Sequence, residues 1–89
     1  MPIATLPAAE RIARVLAGQR ASANAEGDET SASRMVEQKW RDHLMDAAAV
    51  LKTLREPDEA MAAAGDAAVW ERMVLAAIEQ SERETEGAV

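Results

Sequence analysis

The chain has 89 residues, 48% of them hydrophobic and 29% charged, and a formal net charge of −6. That length holds one domain at most and a lean core, since a domain of this size buries only roughly 60–65% of the surface its unfolded chain exposes. The lack of cysteine excludes a disulfide framework and a thiolate metal site, and the acidic balance argues against nucleic acid as the main partner, because phosphate binding asks for a basic stripe.

Alanine supplies 21 residues, against 22 for Val, Ile, Leu, Met and Trp together. Such a core gains little from side-chain volume, so it depends on helix propensity and close helix contacts. No run of 18 apolar residues and no basic-then-apolar leader pattern is present, which gives the expectation of a cytoplasmic protein without a membrane segment.

The first helix is expected over about 7–22. Thr5-Leu6-Pro7 opens it, because proline is tolerated in a first turn whose N–H groups have no partner. Ile12 and Leu16, with Ala9 and Ala13 beside them, give a narrow apolar stripe, which Gly18 weakens. The polar residues from Glu26 to Ser31 then predict a mobile loop over about 23–32, with Ser31 or Ser33 as a helix cap.

A second helix is predicted over about 33–55, where Val36, Trp40, Leu44, Ala47, Leu51 and Leu54 recur every three or four residues. Pro57 ends it and can open a short third helix through about Ala64, with Asp58 and Glu59 near the positive end of the dipole. Gly65 is placed where a left-handed residue closes a helix, and Asp66 where it caps a fourth helix reaching about Ser81. Trp70, Met73, Val74, Ala77 and Ile78 make the inner face of that helix, and the charged tail over about 82–89 is expected to fray. With no segment of strand-like alternation, the expected fold is all-α: a single domain spanning 1–89, a compact bundle of three main helices and one short one.

Charge is unevenly spread. Residues 1–25 carry one acid and three bases, and residues 57–89 carry eight acids and two bases. A nucleic-acid reading would use Arg11, Arg14, Arg20, Arg34, Lys39 and Arg41, and it remains the alternative function.

Candidates for chemistry are few. His43 is the only histidine, and Asp46, three residues on, is the one carboxylate on its side of the helix. One imidazole and one carboxylate complete neither a metal site nor a nucleophile's partner set. Adjacent Asp58 and Glu59 point about 100° apart on a helix and do not converge. No catalytic, cofactor-binding or metal-binding residue is assigned, so a non-enzymatic protein is expected, with an enzyme built on His43 as the minor alternative. The apolar residues on polar faces are Leu75, among Glu71, Glu79 and Glu82, and Met45, opposite the Trp40 and Leu44 stripe. These two are the candidate partner surface, for a second copy or another protein.

The stretch Arg55-Glu56-Pro57, Ala60-Met61, Ala64-Gly65-Asp66, Val69-Trp70 and Met73 is the most distinctive motif, and its residues are read as structural. Together with Ala9-Glu10-Arg11-Ile12-Ala13-Arg14, Trp40, Ala49-Val50-Leu51-Lys52-Thr53-Leu54 and Ala76-Ala77-Ile78, it resembles a family of small helical proteins of alphaproteobacterial genomes and prophages. The chain departs from that pattern between Ala17 and Thr30. The resemblance implies a compact helical fold and prophage origin, and it implies no reaction, ligand or catalytic residue.

Overall fold

Alanine decides how the helices of this chain meet. The computed structural model describes the backbone of residues 3–24 and 29–87, and the side chains of residues 3–20 and 33–83. Helix α1 (Ala8–Asn24) buries Ala9, Ala13 and Ala17 almost completely. These recur every fourth residue and so share one face, a seam without bulk on which other helices can lie closely. Ile12 and Leu16 flank the seam and are only partly buried, so alanines and not the larger side chains form its floor.

Against α1 pack α2 (Glu29–Lys39), a short 3-10 turn (Trp40–His43), α3 (Leu44–Leu54) and α5 (Ala67–Gly87). The expected second helix is therefore not continuous. Lys39 (φ −116°, ψ −8°) and His43 (φ −101°, ψ 8°) lie near the bridge region on either side of the turn. A straight helix over 33–55 would extend about 35 Å in one direction. The break lets α2 stay on α1, with Val36 Cγ2 within 3.6 Å of a Cβ built on Gly18, while α3 swings to lie on both α1 and α5. Trp40, Leu44, Ala47 and Leu51 keep the predicted stripe and are buried, whereas Leu54 is exposed.

The short helix α4 (Glu59–Ala64) buries none of its residues. In α5, Val74, Ile78 and Ser81 face the core, and the Ser81 hydroxyl donates to the Ile78 carbonyl at 2.7 Å. The helix does not stop at Ser81 but runs on to Gly87. The tail expected to fray over 82–89 is thus helical to residue 87, and 88–89 lie outside the described residues. Of the loop expected over 23–32, residues 25–28 lie outside the described residues and 29–32 belong to α2, which also takes in Ser31 and Ser33. Among the described residues all regular structure is helical, five α-helices and one 3-10 turn, and no helix is long and apolar enough to cross a membrane.

Candidate interaction surface

The Arg55 to Met73 motif builds a protruding corner by local hydrogen bonding. Arg55 N–H reaches the Lys52 carbonyl at 3.4 Å as α3 ends. Pro57 does not take the first helical position. It precedes Asp58, whose extended backbone (φ −84°, ψ −178°) makes it the cap, with its carboxylate accepting from Met61 N–H at 2.9 Å. Gly65 is not left-handed either. Its backbone is extended (φ −163°, ψ −151°), because the chain leaves α4 straight into the next cap without a closing turn. Asp66 supplies that cap, accepting from Ala68 and Val69 N–H at 3.0 and 3.2 Å.

Trp70 closes the corner from α5. Its indole N–H donates to the Leu54 carbonyl at 2.7 Å, satisfying one of the acceptors left without a partner where α3 ends. Between α4 and the start of α5 this leaves a mainly apolar groove of about 340 Å³, lined by Pro57, Met61, Val69, Trp70 and Met73. Met61 and Trp70 are partly buried there, but Met73 is 63% exposed. Met73 was expected to fill the core. It instead lies one residue outside the Val74 and Ile78 line, and it also borders a second depression with Leu6, Pro7 and Ala76.

The two residues read as a partner surface fare differently. Met45 is 78% exposed on α3, while Leu75 is partly buried on α5. Of the exposed apolar residues not expected at a surface, Val69 and Leu6 border these two depressions, while Ile3, Val15 and Val50 do not line them. Val69 and Met73 are one turn apart, yet that spacing is equally that of a core stripe. Only the placement of α4 shows which face they occupy.

A second groove of about 350 Å³ runs beside His43, lined by Ala17, Arg20, Met35, Lys39, Asp42 and Asp46. Polar groups therefore do gather around the histidine. His43 Nδ1 lies 3.6 Å from Asp46 Oδ2, longer than a hydrogen bond that would orient an imidazole, and Asp46 is exposed. Among the described residues no group of three or more His, Asp or Glu side chains could hold a metal ion.

Several of the bases proposed to contact nucleic acid have intramolecular work. Arg14 donates from Nε to Glu10 at 2.9 Å and from Nη1 to Glu37 at 2.8 Å, which pins α1 to α2. Arg14 and Arg41 lie 5.0 and 4.4 Å from the centre of the Trp40 ring. Arg11 Nε donates to the Leu6 carbonyl at 3.1 Å. The hydrogen bonds to Glu37 and then Glu10 raise the Arg14 pKa further above its ordinary alkaline range. A raised folded pKa stabilises at every pH below the unfolded value and is lost only as pH climbs through the folded one, so this contribution is constant across neutral pH.

No protein-family model, curated protein or solved structure matches the chain.

Proposed function

We propose that this is a non-enzymatic, cytoplasmic helical docking module, whose work is to present an apolar surface to another protein or to a second copy of itself. The observation that carries the reading is the groove of Val69, Trp70 and Met73 on α5, facing a six-residue helix that buries nothing. Exposed Val69 and Met73 stand together with partly buried Trp70 at one groove, where singly scattered apolar residues would need no explanation. The lean alanine core points the same way, because a small unstapled domain gains stability from what it binds.

Met73→Glu and Met45→Glu test it, with Leu75→Glu as the partly buried comparison. All three are examined by light scattering over a wide concentration range and by crosslinking in native lysate. Loss of association in Met73→Glu with unchanged thermal unfolding supports the module. A chain that is monomeric at every concentration, crosslinks to nothing and behaves the same with each glutamate sinks it.

The nucleic-acid reading is less supported, since Arg11, Arg14 and Arg41 are held by Leu6, by Glu10 and Glu37, and by Trp40. A labelled duplex that shifts at low salt, and is released steeply as salt rises, would restore it.

A further inference from the structure

We infer that the groove between α4 and α5 takes a positively charged amphipathic helix of a partner protein; this rests on the docking-module reading and names the chemistry of its partner. Shape is the first argument. Val69 and Met73 stand one turn apart on one wall, with Met61 on the other and Trp70 between them. An apolar wall stepped at helical spacing accepts side chains at i, i+3, i+4 and i+7 of a second helix, which is how amphipathic helices enter grooves. A peptide that binds by strand addition would need a sheet edge, and the described residues form no strand.

The second argument is adaptability. Two of the lining side chains are methionines, unbranched and polarisable, a type that fits differing apolar ridges. The α4 wall buries no residue, and the links on either side of it are exposed apart from partly buried Pro57 and Ala67, so it can shift without opening the core.

Charge selects the partner. Between residues 55 and 73 there are five acids and two bases, and from 57 to 89 eight acids and two bases. Asp66 lines the groove, and Glu56, Asp58 and Glu59 are exposed where the chain leads into α4, against one exposed base, Arg72, beside Met73. A rim of that sign repels nucleic acid, anionic lipid and acidic peptides, and it attracts a helix whose apolar face is flanked by lysine or arginine.

The test uses the full chain and two synthetic peptides of about 16 residues with leucine at i, i+3, i+4 and i+7, one flanked by lysines and one by glutamates. Titration calorimetry should give saturable binding of the lysine peptide, at least about tenfold tighter than the glutamate peptide and weakening as salt is raised. Met73→Glu should cost roughly tenfold or more, whereas Val15→Glu, at an exposed apolar residue of α1, should not change it. Glu56→Lys should weaken the lysine peptide and Arg72→Glu should tighten it; both residues are exposed, next to the groove residues Pro57 and Met73, and neither is a helix cap or lies in the first turn of a helix. Equal affinity for the two peptides, or indifference to Met73→Glu, overturns the inference. Self-association or capture of a native partner that Met73→Glu abolishes, in a chain that ignores the lysine peptide, also overturns it but leaves the docking module standing. No association of any kind removes both.

Discussion

Trp40 is the largest side chain in the core, 7% exposed where α1, α2 and α3 converge, and two guanidiniums lie over its ring. Its neighbours explain why a chain with so few large apolar groups can fold: Arg14 covers the indole with its charge while bridging Glu10 and Glu37, so one side chain satisfies packing and polarity together. Gly65 is the opposite case, a residue whose chemistry is not required by its surroundings. Its φ is one that any residue adopts, and a Cβ added there meets nothing within 4 Å. Gly65→Ala should therefore be neutral or stabilise by about 0.4–1 kcal/mol through the unfolded chain's lost freedom. Chemical denaturation reads this directly, and a loss of more than about 1 kcal/mol would mean the link is left-handed after all.

At the scale of elements, the seam on α1 sets the spacing of everything packed on it. Ala13 and Ala47 are both 0% exposed, on helices that pack against each other. A larger side chain there has nowhere to go except by pushing the helices apart. Ala13→Leu should thus destabilise by about 1–3 kcal/mol despite adding apolar area, while Val15→Leu, two residues on and exposed, should change stability by less than about 0.5 kcal/mol. Equal effects in thermal unfolding would show that the seam is not close-packed. The 3-10 turn belongs to this scale as well, since it is the requirement to reach α1 and α5 at once that divides α2 from α3.

The whole molecule is elongated, 42 by 32 by 24 Å, with a Cα radius of gyration of 15.0 Å where a spherical domain of this length would have about 12 Å. Helix α5 alone, 21 residues, is about 30 Å long. Stability is accordingly uneven. The helices α1, α3 and α5 share the buried core, whereas α4 buries no residue and carries its Asp58 cap, between chain ends that the Trp70 to Leu54 bond ties together. Amide exchange should find Met61 to Ala64 opening locally, with protection at least roughly tenfold below that of Leu51 and Ile78. Equal protection would tie α4 to the global unfolding unit and deny the groove an adjustable wall.

The sequence by itself determined that the chain is helical and where the corner after α3 lies. Period, proline and aspartate act within a few residues, and so Pro57, Asp58 and Asp66 announce the corner while Trp40, Leu44, Ala47 and Leu51 announce the main buried face. The groove beside His43 could not be foreseen. Only the tertiary structure decided that the second helix breaks at Trp40, that Gly65 is extended and that Met73 faces outward. The break and the outward Met73 depend on neighbours distant in sequence, because α3 must touch two helices and α5 turns its Val74 line inward where α3 lies; Gly65 is extended because α4 hands the chain directly to the Asp66 cap. Local periodicity gives a helix its stripe, but which edge of that stripe is left to solvent is fixed by what packs against it.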